Sequence, residues 1–345
     1  MKSKLVILEK VRSGEISPED GAFQLKQLLS NVKFYTENWI EQSMVKKDRQ
    51  QKELRKVLIF CDWKRKQEIE KAFDETQCIF VFKADSYRKV SEQGYCINPE
   101  REMDYAHFFQ EITKDCIDLD AILHLWAMDA GPEERLEENG ISILNIGKQL
   151  LQLTLHKDIP FIHVYPLNEG IQEAAQSAVY AIFSSLKDET SRLKGKCIAM
   201  DSNALIRYIE VVKEELKEFT SQHVQYYDGK RYIKSYKSLN LEKRIRFIQK
   251  NGDYLLSGGA GALGRILSES IQNEGGNVIW CGRRSLKEIP DGVEYYICDT
   301  ANREQVIQME QELKQKGRML KGIFVCTGNI NDSLLKNKDM HDMTS

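Results

Sequence analysis

A glycine-rich turn between an apolar strand and a helix constrains the fold of this 345-residue chain more than any other feature. The run Asp253–Leu256 leads into Ser257-Gly258-Gly259-Ala260-Gly261-Ala262-Leu263-Gly264. Apolar residues then recur at helical spacing up to Gly275-Gly276: Leu263, Ile266, Leu267 and Ile271. Such glycines allow a tight turn and a close approach of backbone N–H groups to a pyrophosphate, at a helix end that favours negative charge. The pattern predicts a dinucleotide site formed by Ser257, Gly258, Gly259, Gly261, Leu263 and Gly264.

The end of the next strand indicates which dinucleotide binds. Val278–Cys281 is predicted to be a strand, and Gly282-Arg283-Arg284 follows it. An acidic residue in this place would hold a ribose 2′-hydroxyl, whereas guanidinium groups form paired hydrogen bonds with a phosphate. Arg283 and Arg284 therefore predict NADPH as the cofactor. The alternative is a solvated arginine pair on an exposed loop.

Two later strands supply the remaining candidate cofactor residues. Asp299 follows the strand Glu294–Cys298, where its carboxylate can accept a hydrogen bond from the adenine amino group. The alternative for Asp299 is a cap for a helix that starts near residue 301. Thr327 and Gly328 close the strand Gly322–Cys326 and are expected to line the cofactor.

Upstream of residue 251, strands and helices alternate without a glycine turn. The apolar strands are Val57–Cys61, Cys78–Phe82, Ala121–Trp126, Phe161–Tyr165 and Cys197–Met200. Apolar strands between amphipathic helices predict a mostly parallel sheet covered on both faces. The first strand ends at Asp62 and Trp63, which would repel a phosphate and block its approach. Residues 46–250 are therefore expected to form a doubly wound domain without a cofactor, with a hairpin around Asp228-Gly229.

Residues 1–45 are expected to form a helical linker or docking segment. Ser17-Pro18-Glu19-Asp20 is typical of a helix start. Four apolar residues follow at helical spacing: Ala22, Leu25, Leu29 and Val32. This stripe either packs on its own domain or contacts a neighbouring domain or subunit. Phe34, Tyr35 and Trp39 are expected to pack the leader onto the sheet.

Composition excludes several classes of protein. The chain has 50 basic and 52 acidic residues and a net charge of −2, so there is no basic excess for nucleic acid. No apolar stretch approaches the roughly 18 residues needed to cross a bilayer. Eight scattered cysteines contain no Cys-x-x-Cys pair, so neither metal sites nor disulfides are expected. We expect a cytoplasmic protein with no membrane partner.

The motifs of the C-terminal third together resemble the ketoreductase domain of modular polyketide synthases, within the short-chain dehydrogenase/reductase superfamily. The glycine turn, Gly282-Arg283-Arg284, Asp299 and Gly328-x-x-x-Asp332-x-Leu334-Leu335 carry the resemblance, which extends from about residue 50. One departure is Val325-Cys326-Thr327-Gly328, where the family usually has a His-Ala-Ala-Gly type of run. The leader resembles segments of synthases of the trans-acyltransferase type.

This resemblance implies an α/β protein with two Rossmann-like, doubly wound parallel-sheet subdomains after the leader. The first is structural and free of cofactor, and residues 251–345 are the N-terminal part of the second, which binds NADPH and is incomplete. The implied reaction, part of secondary metabolite biosynthesis, is NADPH-dependent reduction of a β-ketoacyl thioester on an acyl carrier protein to the β-hydroxyacyl product.

The family's catalytic Ser, Tyr and Lys lie downstream of the Asp332 region. After residue 257 the only tyrosines are Tyr295 and Tyr296, and neither has a lysine four residues on. We therefore expect no catalytic residue in this chain, and a complementary chain or segment that carries the rest of the domain. The other expected partners are acyl carrier protein and neighbouring synthase domains. The alternative is a non-catalytic scaffold or docking fragment of a megasynthase.

Overall fold

The computed structural model describes residues 2–29, 34–44, 53–113, 118–129, 138–167, 171–239, 247–327 and 333–338. The chain divides into two compact units. The large unit comprises residues 35–239 and 332–345, and the small unit comprises residues 1–34 and 240–331. Both units contain a sheet of mainly or wholly parallel strands with helices between them, so the predicted α/β class is confirmed.

The leader contains two helices, α1 (Lys2–Arg12) and α2 (Pro18–Leu29). The Asp20 N–H donates to Ser17 Oγ at 3.0 Å, so the predicted helix start is confirmed. The two helices pack closely, because a Cβ added at Gly21 would lie 2.2 Å from Val11 Cγ2. Ala22 of the predicted stripe is exposed. The side chains of Leu29 and Val32 lie outside the described part of the chain.

The helical prediction for residues 1–45 is wrong at its C-terminal end. Residues Phe34–Glu41 form a strand, β1, at the edge of the large unit's sheet. Aromatic and branched side chains favour strands, and here they outweigh the helical context of the leader. Trp39 lies edge-on against the ring of His223, with 5.1 Å between centroids, so this aromatic residue is part of the sheet's own packing.

Ten described strands form the sheet of the large unit. After β1 they are β2 (Lys56–Phe60), β3 (Gln77–Lys83), β4 (Arg88–Ser91), β5 (Gly94–Ile97), β6 (Ala121–His124), β7 (Ile159–Pro166), β8 (Leu193–Met200), β9 (His223–Tyr227) and β10 (Lys230–Leu239). Their order is β1-β10-β9-β8-β7-β6-β2-β3-β5-β4, and neighbours from β9 to β5 are parallel. The five predicted apolar strands are confirmed, and the ribbon β4–β5 is an addition to them.

Helices cover both faces of this sheet, and the sheet separates the apolar core into two layers. They are α3 (Lys66–Ala72), α4 (Glu102–Ile112), α5 (Glu138–Leu151), α6 (Ile171–Glu189), α7 (Ser202–Ile206) and α8 (Tyr208–Glu215). Because side chains alternate along a strand, Leu58 and Phe60 of β2 enter one core, and Val57 and Ile59 enter the other. The sheet is therefore buried on both faces, as its apolar strands predict.

The predicted hairpin joins β9 to β10. Asp228 and Gly229 have φ angles of 50° and 71°, the left-handed values that such a two-residue turn requires. Inside the sheet, Glu215 Oε2 lies 2.7 Å from Lys196 Nζ, and Glu215 Oε1 lies 2.6 Å from Arg231 Nε. Burial would raise the pKa of Glu215, but the two cations hold it below its ordinary value. This buried cluster ties α8 to β8 and β10.

Two further polar contacts fix segments of the large unit. Asp120, at the start of β6, accepts hydrogen bonds from the N–H groups of Arg55 and Lys56 at 2.9 and 3.0 Å and from Lys157 Nζ at 2.7 Å. Leu335 lies in a short 3₁₀ turn, is 7% exposed and belongs to the core of this unit. Its N–H donates to the Glu189 carboxylate.

His124 and His163 are buried and hydrogen-bonded in the core, as their positions in apolar strands predict. Their Nδ1 atoms lie 3.2 Å apart, and His124 Nε2 lies 3.0 Å from Ser142 Oγ. Among the described residues, no group of three His, Cys, Asp or Glu side chains is arranged to hold a metal ion. None of the described helices has the length and apolar character needed to cross a membrane.

Four described strands form the parallel sheet of the small unit. They are β11 (Asp253–Ser257), β12 (Asn277–Gly282), β13 (Val293–Ile297) and β14 (Leu320–Val325), in the order β13-β12-β11-β14. Helix α9 (Ala262–Asn273) follows β11, and α10 (Arg303–Gln315) follows β13. The four predicted strands and the helix after the glycine turn are confirmed. β12 and β14 flank β11 on opposite sides, so the strand order reverses there, which is where open α/β sheets bind ligands.

Part of the small unit's apolar surface is exposed. Ile323 and Val325 of the edge strand β14 are 61% and 74% exposed. Within the predicted apolar stripe of α9, Ile271 is buried, whereas Leu263 and Ile266 are 57% and 65% exposed. The stripe is therefore buried only toward the C-terminal end of the helix.

Candidate cofactor site

The glycine turn lies at the carboxyl edge of the small unit's sheet, between β11 and α9. Gly258 has a φ of 73°, in the left-handed region that favours glycine, and its N–H donates to the Cys281 carbonyl at 2.9 Å. The Gly261 N–H donates to the Gly258 carbonyl at 3.0 Å and closes the turn. Because α9 begins directly after Gly261, the N–H groups of its first turn have no partner inside the helix. N–H groups in this position can bind an anion.

Two of the glycines are required by close packing. A Cβ added at Gly259 would lie 2.1 Å from Trp280 Cδ1. A Cβ added at Gly264 would lie 2.5 Å from both Cα and O of Gly259, because the helix backbone packs directly on the turn. At Gly261 the nearest atom would be 3.3 Å away, so there the missing side chain keeps the approach to the helix end open.

Ser257 and Thr327 join the ends of two neighbouring strands. Ser257 Oγ lies 3.2 Å from Thr327 Oγ1, and the Cys326 N–H donates to the Ser257 carbonyl at 2.8 Å. Thr327 is exposed at the edge, next to the glycine turn. Gly328, the last of the predicted cofactor residues, lies outside the described residues.

Arg283 and Arg284 follow β12 at this same edge, and both are exposed. Within the described part of the chain, no ion pair or hydrogen bond engages either guanidinium group. The backbone of this loop is fixed by a hydrogen bond from the adjacent strand, because the Tyr295 hydroxyl of β13 donates to the Arg284 carbonyl at 2.5 Å. The two cations are therefore available to an anionic ligand beside the glycine turn.

Asp299 follows β13, as predicted, but it is not a helix cap. Its Oδ1 accepts from the Ala301 N–H at 3.1 Å, and its own N–H donates to Gln305 Oε1 at 2.8 Å. Helix α10 is capped by Asn302, whose Oδ1 accepts from the N–H groups of Glu304 and Gln305. The carboxylate of Asp299 thus stabilises the turn before the helix and remains at the edge that carries the other candidate residues.

Sequence reasoning missed a tyrosine–lysine pair in the small unit. Lys316 Nζ donates to the Tyr296 hydroxyl at 2.9 Å, and this hydroxyl donates to Glu294 Oε1 at 2.7 Å. Burial and the Glu294 carboxylate raise the pKa of Tyr296, against the effect of Lys316. Because Glu294 lies near the start of β13, the hydroxyl points away from the carboxyl edge. Tyr296 is therefore not placed to donate a proton beside the glycine turn.

The corresponding edge of the large unit is closed by its own side chains. Asp62 Oδ1 accepts from the Lys64 N–H at 2.9 Å, which uses a donor that a phosphate would need. The Trp63 ring stacks on Phe82 with 3.5 Å between centroids. Arg65 Nε and Nη2 lie 2.5 and 2.8 Å from the two carboxylate oxygens of Asp129. The Lys64 amide and the Arg65 guanidinium at this turn are therefore engaged within the chain.

Family models match both parts of the chain. Residues 252–345 match the model described as KR domain, and residues 55–218 match the model described as beta-ketoacyl synthase-like, N-terminal. Among curated proteins, the chain is 26% identical to polyketide synthase PksN of Bacillus subtilis (strain 168) over 242 residues, which are 64% of this chain and 4% of that protein. It is 21% identical to polyketide synthase PksM of the same organism over 278 residues, which are 76% of this chain and 6% of that protein. The chain thus spans only a small part of these relatives.

Solved structures share the fold. An N-terminal ketoreductase from the macrolactin assembly line matches with a TM-score of 0.74 at 18% identity, over 99% of this chain and 75% of that one. A keto acid-selecting NRPS module with adenylation, ketoreductase and pseudo Asub domains has the same TM-score and identity, over 98% of this chain and 32% of that one. The predicted resemblance to ketoreductase domains of polyketide synthases is therefore confirmed, and residues 252–345 carry the match to the KR domain model.

Proposed function

We propose that this chain supplies the structural subdomain and the NADPH-binding front of a polyketide synthase ketoreductase in the cytoplasm. Residues 46–250 form the structural subdomain in this proposal, and residues 251–345 begin the cofactor-binding one. The observation that carries it is the juxtaposition of an open glycine turn with two unengaged guanidinium groups at one sheet edge. The KR domain match of residues 252–345 supports the same assignment.

The residues at this edge fit the parts of NADPH. The N–H groups of the first turn of α9, including that of Leu263, would receive the pyrophosphate, which the partial positive charge of the helix end favours. Arg283 and Arg284 suit the 2′-phosphate, since guanidinium groups form paired, charge-assisted hydrogen bonds with phosphates. Asp299 would accept from the adenine amino group, and Ser257, Thr327 and Gly328 would line the cleft. When bound, this cofactor supplies a hydride.

The remaining chemistry requires residues outside this chain in our proposal. Donation of a proton to a β-keto oxygen calls for the family's Ser, Tyr and Lys, which a further segment or a complementary chain would provide. The edge strand β14 supports such a partner, because a further strand would pair with its free edge and a helix of the same segment would cover the exposed side chains of Ile323 and Val325. The substrate would then be a β-ketoacyl thioester presented by an acyl carrier protein of a synthase, of the trans-acyltransferase type, with neighbouring domains as further partners.

Two other functions are less well supported by the geometry. A condensing enzyme forms its acyl intermediate on a reactive thiolate, but burial raises the pKa of Cys61 to about 12 and that of Cys78 to about 11. The described cysteines of the large unit are all buried, so none of them is presented as a nucleophile: Cys61, Cys78, Cys96 and Cys197. A non-catalytic scaffold, with the leader as its working part, has no need of an open anion site and would leave it without a ligand.

Fluorescence titration of the chain with NADPH and NADH tests the cofactor assignment. The wild-type chain should bind NADPH more tightly than NADH. Arg283→Ala should lower the affinity for NADPH by about 10- to 100-fold, because charge-assisted hydrogen bonds contribute roughly 1.5–3 kcal/mol. NADH, which lacks the 2′-phosphate, should be little affected. Lys314→Ala removes one positive charge at the far end of α10 and serves as the control. No binding of NADPH by the wild-type chain would favour the scaffold.

A reconstitution experiment tests the reaction itself. The chain is mixed with a separately produced ketoreductase segment that carries the Ser, Tyr and Lys, and reduction of a β-ketoacyl thioester is followed by oxidation of NADPH. Activity should require both pieces and should fall when Arg283→Ala replaces the wild-type chain. A mixture that binds NADPH and remains inactive would restrict the chain to cofactor binding.

A further inference from the structure

Trp280 lies directly beneath the glycine turn and contacts it in three ways. It is 1% exposed on the central strand β12, and its ring fills the space that a side chain of residue 259 would need. Its Nε1 donates to Ser268 Oγ at 2.7 Å, and this hydroxyl donates to the Gly264 carbonyl at 2.7 Å. Arg265 Cζ lies 5.7 Å from the centroid of the Trp280 ring, and Arg265 Nε donates to the Ala260 carbonyl at 3.0 Å.

Tyr295 occupies the equivalent position beneath the arginine loop. It is the register partner of Trp280 on the adjacent strand β13, so both side chains project from the same face of the sheet. Its hydroxyl donates to the Arg284 carbonyl at 2.5 Å. A Cβ added at Gly282 would lie 2.9 Å from this hydroxyl, so the loop backbone passes close over the tyrosine.

We propose that Trp280 and Tyr295 are positioning residues that set the two phosphate-binding loops independently. Trp280, through Ser268, fixes the glycine turn that receives the pyrophosphate, and Tyr295 fixes the loop of Arg283 and Arg284 that receives the 2′-phosphate. The inference rests on the proposed NADPH site. In addition, it assigns the two residues to different phosphate groups of the cofactor. The pyrophosphate is common to NADPH and NADH, whereas only NADPH carries the 2′-phosphate.

The hydrogen bonds explain why these side chains do more than fill the core. A backbone turn binds an anion well only if its N–H groups are held in place beforehand, since ordering them on binding costs affinity. The Ser268 hydroxyl accepts a hydrogen bond from the indole of Trp280 and donates one to the Gly264 carbonyl. The position of the ring is therefore coupled to that of the first turn of α9. The phenol of Tyr295 acts in the same way on the loop that follows β12.

Two conservative variants separate the roles. Ser268→Ala should weaken binding of both NADPH and NADH by a similar factor of about ten, the value of one lost hydrogen bond. Tyr295→Phe should lower the affinity for NADPH by up to about tenfold and leave the affinity for NADH within about twofold of the wild-type value. Ser270→Ala, exposed on the same helix, and Tyr296→Phe, whose hydroxyl points to the other edge, are matched controls that should leave both cofactors unchanged.

Hydrogen exchange of the cofactor-free chain provides a readout that does not depend on binding. Ser268→Ala should accelerate exchange of the amides of residues 258–264 and leave residues 282–285 unchanged, and Tyr295→Phe should show the reverse. If the wild-type chain binds neither cofactor, the proposed function fails and the exchange pattern alone decides this inference. Equal effects of the two variants on both loops, or wild-type exchange and wild-type affinities in both, would overturn it.

Discussion

A single methyl group at residue 259 should disrupt the cofactor turn, because the space it needs is occupied by a ring. In Gly259→Ala the added Cβ would lie 2.1 Å from Trp280 Cδ1 and 2.3 Å from Cγ. Ordinary carbon–carbon contacts are about 3.5–4.0 Å long, so the methyl group and the ring must separate by about 1.5 Å. The ring is 1% exposed and hydrogen-bonded to Ser268, which leaves the turn backbone as the part that moves.

Overpacking of this kind costs about 1–3 kcal/mol of unfolding free energy. Chemical denaturation of Gly259→Ala should show a loss of that size for the small unit, and titration should show a substantial loss of NADPH affinity. Gly261→Ala is the control for stability, because its Cβ has nothing closer than 3.3 Å and should cost less than about 1 kcal/mol. Affinity is not compared for this control, since the added methyl group faces the anion site.

A double-mutant cycle shows whether Trp280 is the cause. Trp280→Leu creates the missing space, so Gly259→Ala should cost at least about 1 kcal/mol less in that background than in the wild-type chain. If the two substitutions are additive, or if Gly259→Ala unfolds within about 0.5 kcal/mol of the wild type, the packing of the ring beneath the turn does not determine the turn's geometry.

Three predictions concern the large unit. Glu215→Gln should lower the unfolding free energy by about 3–5 kcal/mol, because it leaves two buried cations without their carboxylate. Glu214→Gln, at the exposed neighbouring residue, should lower it by less than about 1 kcal/mol. Urea denaturation measures both changes. Burial would raise the pKa of Asp120, but hydrogen bonds from a lysine and two backbone N–H groups lower it. The ionised carboxylate therefore contributes its full stabilisation above the unfolded pKa near 4 and loses it as the pH falls through the folded pKa. Asp120→Asn should accordingly reduce the fall in thermal stability between about pH 5 and pH 3. Leu335→Ala should cost about 2–3 kcal/mol in the same urea assay, and Leu334→Ala, at a residue 51% exposed, should be nearly neutral.

Local signals account for the part of the fold that the sequence predicts well. The glycine turn, the Asp228-Gly229 hairpin and the Ser17 helix start each depend on a backbone conformation or a cap that only a few residue types supply. The small unit's four strands are short apolar runs that the sequence identifies, whereas their order in the sheet comes from the structure. The positions of the candidate cofactor residues at one edge follow from the strand ends alone.

Contacts between residues distant in sequence account for the rest. The strand Phe34–Glu41 is hydrogen-bonded to the strand Lys230–Leu239, which is distant in sequence. The preceding residues of the leader are helical and therefore do not indicate a strand at this position. The support of the glycine turn by Trp280 and Ser268 joins two different elements, as does the pair of Tyr296 with Lys316. One signal was available, since Phe34–Glu41 is rich in aromatic and branched residues, which favour strands even inside a helical context.

The two units make a strand–turn–helix connection in two different ways. In the large unit the carboxylate of Asp62 accepts from the amide of residue 64, and so supplies from within the chain the negative charge that a helix start favours. The ring of Trp63 then fills the adjacent space. In the small unit the turn contains glycines and no such carboxylate or ring, and the N–H groups of the first turn of α9 have no partner inside the helix. Replacing Asp62 and Trp63 by glycine would therefore free the turn without restoring a phosphate site, because the nearby guanidinium of Arg65 is already held by both carboxylate oxygens of Asp129.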